Sequence, residues 1–176
     1  MNRAVFLDRD GTINVDYGYV YKYEDFKFIE GAIEGLKMLQ NAGYKIIVIT
    51  NQSGIARGYF TEEDFQLLNQ KVNAELYLHG VTVDAVYHCP HLGEGCFCRK
   101  PKTGLFYQAA KDFNIDFSKS YAIGDRMRDL SICQKEPVKG FLINSEGDKG
   151  DGIKTAVSLL EAAGKICSQN LEKNKC

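Results

Sequence analysis

The stretch Ala4-Val5-Phe6-Leu7-Asp8-Arg9-Asp10-Gly11-Thr12 decides the reading of the chain. Its four leading residues are all apolar, the mark of a strand covered on both faces rather than one. The strand delivers two carboxylates at positions i and i+2, which an extended backbone points to one side. Gly11 then permits a sharp turn. Two acids pressed together repel, and a shared proton or a divalent cation relieves them most cheaply.

Outward from this stretch, Lys45–Thr50, Ala85–His88, Tyr121–Ile123 and Gly140–Ile143 read as further strands. Helical patterns separate or follow them, at Ala32–Asn41, Thr61–Leu78, Thr103–Phe113, Arg126–Lys135 and Ile153–Ala163. Gly43 suits a helix C-terminus, and Thr61-x-x-Asp64 a capping box. The alternation predicts an α/β fold, a three-layer Rossmann-like parallel sheet with helices on both faces. Functional groups of such folds gather at the carboxyl ends of the strands. Asp8, Thr50, Cys89 and Asp125 each follow or end a different strand, so all four fall on one rim. Residues 1–164 form one domain in this reading, and 165–176, polar and aperiodic, a flexible tail.

The 176 residues carry 22 Lys and Arg against 23 Asp and Glu, a formal charge of −1. That balance provides no basic field for nucleic acid and no acidity that calls for a basic partner. Apolar runs such as Ile46–Ile49 fall far short of the roughly 20 residues of a membrane span. The N-terminus enters a strand without a secretory apolar region, so a cytoplasmic location is expected. Nothing between the first two strands is long enough for a cap domain; substrate selection therefore falls to loops, and a monomer is expected.

A third acid, Asp125, follows Tyr121-Ala122-Ile123-Gly124, and oxygen ligands of this kind with room for water suit Mg²⁺. Thr50 can offer a hydroxyl to an anion, and Lys100 a charge. Taken singly, each residue also suits plainer chemistry: turns and helix caps for Asp8, Asp10 and Asp125, a solvated charge pair for Arg99-Lys100.

Taken in order, Asp8-x-Asp10-Gly11-Thr12, Thr50, Lys100 and Gly124-Asp125-x-x-x-Asp129 resemble the four motifs of the haloacid dehalogenase superfamily, over nearly the whole chain. The resemblance implies strand order 5-4-1-2-3, Asp8 as nucleophile and Asp10 as acid and then base. It also implies Mg²⁺ on Asp8, Asp125 and the Asp10 carbonyl, with Thr50 and Lys100 on the phosphoryl oxygens and Asp129 supporting the loop. A second acid two residues after the first favours phosphatase chemistry, because a departing alcohol needs a proton.

The chain has six cysteines, three of them in His88-Cys89-Pro90-His91-Leu92-Gly93-Glu94-Gly95-Cys96-Phe97-Cys98. Cys89, His91, Cys96 and Cys98 make a Cys₃His set suited to a closed structural Zn²⁺ site; free thiols or a redox pair at Cys96 and Cys98 are the alternatives. Cys133, Cys167 and Cys176 are scattered and read as ordinary residues.

With Gly18-Tyr19-Val20, Thr50–Gly58 and Arg99-Lys100-Pro101, this cluster resembles the zinc-containing branch that holds the heptose bisphosphate phosphatases and the histidinol-phosphate phosphatase domain. The match leans to the former, whose product feeds nucleotide-activated heptose for surface polysaccharide. It implies substrate contacts from Asp16, Tyr19, Asn51, Gln52, Ser53 and Arg57. Arg99 and Arg126 are the candidates for a second anion, since a guanidinium grips phosphate bidentately. Two departures stand out: the segment from His91 to Cys96 is short, and Arg126 stands where the heptose enzymes often carry Lys. Histidinol phosphate, a polynucleotide 3′-phosphate and a non-catalytic zinc-stabilised binding module are the alternatives.

Overall fold

The structure, a computed structural model, describes residues 1–93, 95–144 and 152–173. Six parallel strands form one sheet in the order β3-β2-β1-β4-β5-β6. They are β1 (Ala4–Leu7), β2 (Lys45–Asn51), β3 (Ala85–Cys89), β4 (Tyr121–Gly124), β5 (Lys139–Ile143) and β6 (Ile153–Ala156). The first five follow the expected order. Helices α1 (Ala32–Asn41), α2 (Glu62–Leu78), α3 (Gly104–Phe113) and α4 (Leu159–Lys173) cover the faces, and Met127–Gln134 forms a 3-10 helix.

The period-two geometry of a strand divides the core. Val5 and Leu7 of β1 pack with Ile46, Val48 and Ile123 against α1, α2 and α4 through Leu36, Leu68 and Ile166. Ala4 and Phe6 point the other way, with Ile47, Ile49 and Ala122, against Phe106 and Ala109 of α3 and Leu130 of the 3-10 helix. Both faces are apolar, so the strands read as continuous hydrophobic runs.

Three expectations need correction. The helix placed at Ile153–Ala163 is a strand followed by a helix: β6 pairs with β5 from Gly140↔Ile153 to Ile143↔Ala156, adding a sixth strand to the expected five. Ser158 then caps α4, its hydroxyl accepting from the Glu161 N–H at 3.2 Å, while Glu161 reaches back to the Val157 N–H at 2.6 Å. The Ser-x-x-Glu spacing marks that boundary in the sequence. The helix placed at Arg126–Lys135 is the tighter 3-10 type over Met127–Gln134. The expected tail from Lys165 is instead helical as far as Lys173, and it is anchored by Ile166, fully buried against the sheet. Cys176, expected in that tail, lies outside the described residues. Among the described residues no helix is long and apolar enough to cross a membrane.

Helix α2 starts at the capping box expected from the sequence. The Asp64 N–H donates to Thr61 Oγ1 at 3.1 Å, and the Thr61 N–H donates to Asp64 Oδ2 at 2.8 Å. Thr61→Ala removes one of these bonds and is expected to lower stability by about 1 kcal/mol. A urea melt checks this, with the midpoint lowered and the slope unchanged.

Candidate active site

Parallel register brings the acids together. Leu7 lies beside Val48 of β2 and Ile123 of β4, and the Asp8 N–H continues the ladder to the Ile123 carbonyl at 3.0 Å. Asp8 therefore leaves β1 next to Asp125, which leaves β4. The turn between Asp10 and Thr12 passes so close that a Cβ on Gly11, at φ +86°, would stand 2.5 Å from Asp125 Oδ2. Only glycine meets both the backbone angle and the space.

Lys100 arrives from the loop before α3 and is almost wholly buried. Its ammonium lies 2.7 Å from Asp8 Oδ1 and 2.7 Å from Asp129 Oδ1, and donates to the Ile49 carbonyl at 2.6 Å. The side chain of Asn51 fixes its backbone. Asn51 Nδ2 donates to the Lys100 carbonyl at 3.1 Å, and the Lys100 N–H donates to Asn51 Oδ1 at 3.0 Å. Asp129 also accepts from the Arg126 N–H at 3.0 Å, which holds the start of the 3-10 helix against the site.

Burial pushes the Asp8 carboxyl up to about 7; Lys100 opposes that rise, while Asp129 and Asp10 add to it. Burial also raises Asp125, with Asp129 adding and Arg126 opposing. Asp125 Oδ1 is buried without a hydrogen-bond partner. Carboxylate oxygens of Asp8, Asp125 and Asp129 lie within 4.8 Å of one another. Hard oxygen donors, an unpartnered buried oxygen and an excess of negative charge fit a Mg²⁺ ion.

Asp10 is held differently. Arg9, buried beneath the site, donates from Nη2 to both Asp10 oxygens at 2.9 and 3.0 Å and to the Val20 carbonyl at 2.8 Å. Asn14 Nδ2 donates to Asp10 Oδ1 at 3.0 Å, and Gln52 Nε2 to Asp10 Oδ2 at 2.9 Å. Arg9 and Asn14 were absent from the sequence-derived candidates. The available signal was a cation flanked by two acids at the end of a buried strand.

Asp8, Asp10 and Thr50 open into a cleft of about 270 Å³. Every candidate for substrate contact lines it: Asp16 and Tyr19 from the loop after β1, Asn51, Gln52, Ser53 and Arg57 from the end of β2 and beyond, and Arg99 and Arg126 from two further loops. Arg128, missed in the sequence, lines it as well, and its Nε is buried without a partner. Arg126 already has an acidic neighbour, Asp16, at 3.4 Å. Tyr19 adopts φ +52° and meets Tyr59 edge-to-face at 4.8 Å between centroids, joining two of the loops that bound the cleft.

The cysteine cluster forms at the end of β3. Cys89 Sγ lies 3.0 Å from Cys98 Sγ and 3.6 Å from Cys96 Sγ, and His91 Nδ1 lies 3.2 Å from Cys98 Sγ and 3.6 Å from Cys89 Sγ. A disulfide needs about 2.05 Å, so these sulfurs are not bonded. Separations of this size approach the edges of a tetrahedron around Zn²⁺ with bonds of about 2.0–2.3 Å. The donor set and its convergence fit the ion. Hydrogen bonds to backbone carbonyls tie the cluster to the cleft, since the Gln52 N–H donates to the Cys89 carbonyl at 2.8 Å and Arg99 Nη1 to the His91 carbonyl at 3.2 Å.

The family model described as polynucleotide kinase 3 phosphatase matches residues 4–137. The chain is 49% identical over 162 residues to the D-glycero-beta-D-manno-heptose-1,7-bisphosphate 7-phosphatase of Haemophilus ducreyi, covering 84% of this chain and 89% of that protein. It is 42% identical over 160 residues to the D-glycero-alpha-D-manno-heptose-1,7-bisphosphate 7-phosphatase of Campylobacter jejuni, covering 90% and 92%. Among solved structures, D,D-heptose 1,7-bisphosphate phosphatase from B. bronchiseptica, complexed with magnesium and phosphate, superposes with a TM-score of 0.87 at 28% identity, over 95% of this chain and 99% of that one. Sheet order, convergent acids and these similarities agree: the chain belongs to the haloacid dehalogenase superfamily, in the phosphatase family that includes the heptose-1,7-bisphosphate 7-phosphatases.

Proposed function

We propose that the chain hydrolyses the 7-phosphate of a D-glycero-D-manno-heptose 1,7-bisphosphate in the cytoplasm, acting as a monomer, on the route to nucleotide-activated heptose for surface lipopolysaccharide. The observation that carries the chemistry is the Lys100 ammonium lodged between Asp8 and Asp129 at 2.7 Å from each, beside the separately held Asp10. The relatives' names supply the sugar.

A carboxylate oxygen of Asp8 attacks phosphorus, and the bond from phosphorus to the sugar oxygen breaks. The departing alkoxide takes a proton from Asp10, leaving an aspartyl phosphate on Asp8. Asp10, now ionised, removes a proton from water; the hydroxide attacks phosphorus, the bond to Asp8 breaks, and phosphate leaves. Thr50 and Lys100 hold the phosphoryl oxygens while charge shifts across them. Mg²⁺ would be held by Asp8, Asp125 and the Asp10 carbonyl, and would supply positive charge that lets an anionic nucleophile approach an anionic ester. Asp129 keeps Lys100 and the start of the 3-10 helix in place. Arg57, Arg99, Arg126 and Arg128 surround the far side of the cleft and suit a second phosphate. Zn²⁺ would be held by Cys89, His91, Cys96 and Cys98, and would stiffen the loop that carries Arg99 and Lys100.

Asp8→Asn is expected to lower turnover by about 10⁴-fold or more. Its effect on stability has a definite sign. Between the unfolded pKa of 3.8 and the folded value of about 7, the folded state holds the proton more tightly. The stability of metal-free protein therefore falls as pH rises through that window. At pH 7.5 without magnesium, Asp8→Asn should melt no lower than the parent; calorimetry beside the activity assay reads both effects, and a folded variant that still turns over rules out Asp8 as the nucleophile.

Metal content and melting temperature test the zinc site together. Removing the ion, or substituting Cys98→Ser, should lower the melting temperature by about 10 °C or more, because metal binding is coupled to folding. Identical melting of verified zinc-free and zinc-loaded protein would refute a structural role.

For the substrate, kcat/KM on the heptose bisphosphate should exceed that on histidinol phosphate by about 10- to 100-fold, the worth of one charge-assisted phosphate grip. A nicked duplex bearing a 3′-phosphate forms the third arm of the assay. Preference for either rival overturns the sugar and leaves the hydrolytic chemistry standing.

A further inference from the structure

We propose that Gln52 is a positioning residue for Asp10 and not a hydrogen-bond donor to the substrate; this rests on the reading of Asp10 as proton donor to the departing alcohol. The side chain of Gln52 is buried, with the residue only 4% exposed. Its amide nitrogen has two protons, and both are spent inside the protein: on Asp10 Oδ2 at 2.9 Å and on Thr50 Oγ1 at 3.0 Å. No donor remains on that amide for a ligand.

Arg9 and Asn14, the other donors to Asp10, stand on its own segment after β1, so they hold the carboxylate to the strand that carries it. Gln52 is different. It stands just past the end of β2, and its own N–H is fixed to the Cys89 carbonyl at the end of β3 at 2.8 Å. Through this one amide the carboxylate that protonates the leaving group is tied across the sheet to the Thr50 hydroxyl, the proposed phosphoryl contact. The spacing between proton donor and reacting phosphorus is thereby set by the sheet. Thr50, accepting from Gln52, retains its own proton for a phosphoryl oxygen.

The two roles leave different kinetic traces. Loss of the Thr50 contact lowers kcat/KM on every phosphomonoester alike. A misplaced proton donor lowers it in proportion to the need of the leaving group for a proton. Gln52→Met keeps the length and removes the donors. It should lower kcat/KM on an alkyl phosphate at least about tenfold more than on p-nitrophenyl phosphate, with phenyl phosphate in between, at saturating magnesium. Gln52→Glu, which cannot donate when ionised and puts a negative charge beside Asp10, should lose at least as much on the alkyl ester. Circular dichroism and melting curves establish that both variants fold, and either folded variant alone decides the question.

Equal losses across the leaving groups, a rise in KM with unchanged kcat, or parent-like activity of Gln52→Glu would each overturn the proposal. Asp10→Asn, measured in parallel, should show the steepest dependence on leaving group. If Asp10→Asn is flat across the series, the role assigned to Asp10 fails and takes the proposal with it. If it is steep while the Gln52 variants are flat, only the positioning role of Gln52 is lost.

Discussion

The site depends on a single buried ammonium. Lys100 contacts Asp8, Asp129 and the Ile49 carbonyl at once, linking the ends of β1 and β2 to the segment after β4. Its own loop is far away in sequence and reaches this position because Asn51 pairs with both the N–H and the carbonyl of Lys100. Removing this ammonium would leave Asp8 and Asp129 buried with their charge uncompensated, at a cost of about 3–5 kcal/mol. One buried ammonium nevertheless serves two carboxylates, with Asp125 beside them and only the half-exposed Arg126 at 3.8 Å from it, and Asp8 remains shifted up to about 7 by its burial in spite of Lys100. The protein alone does not neutralise its site; the excess matches what a divalent cation supplies.

The same constraint explains where the cysteines lie. Cys98 is followed directly by Arg99 and Lys100, so the cluster that closes the loop after β3 also fixes the position from which the ammonium descends. A chain without room for a cap domain needs another way to order this loop, because loops that bury little apolar surface open readily. Cys89 and Cys98, buried in the core with Ile49 and Phe106, and the convergence of His91 and Cys96 on them give this short segment its local order. The bond from Gln52 to the Cys89 carbonyl carries that order to the opposite wall of the cleft.

Much of this was legible in the sequence, for identifiable reasons. The strand ends Asp8, Thr50, Cys89 and Asp125 could be placed on one rim because a parallel sheet allows little else for continuous apolar runs. The capping box at Thr61 was readable because it is local. What escaped was either short or long-range. Strand β6, Ile153-Lys154-Thr155-Ala156 at the sheet edge, lacks the continuous apolar run that marks β1 and β4 at the same length, and the adjoining helix absorbed it. Arg9 and Asn14 escaped because a buried guanidinium or amide has no pattern of its own in sequence; its role appears only when its hydrogen bonds to Asp10 are seen. Asn51 and Gln52 were identified as belonging to the site, but the sequence does not show that Asn51 pairs with the Lys100 backbone or that the Gln52 amide nitrogen donates to Asp10 and Thr50.

The arrangement separates recognition from chemistry. Asp8, Asp10 and Thr50 stand on or beside strand ends whose neighbours are fixed by the sheet ladder, whereas Arg57, Arg99 and Arg126 come from loops after β2, β3 and β4, and Arg128 from the 3-10 helix after β4. The rim can therefore vary while the reacting groups keep their spacing. Relatives named for the beta and for the alpha heptose bisphosphate are 49% and 42% identical to this chain, so a change at the anomeric centre is compatible with one core. A group at that centre sits far along the sugar from the bond broken at position 7. The loops that line the cleft, rather than the strand ends, are the part of this architecture that can differ without moving the carboxylates beneath.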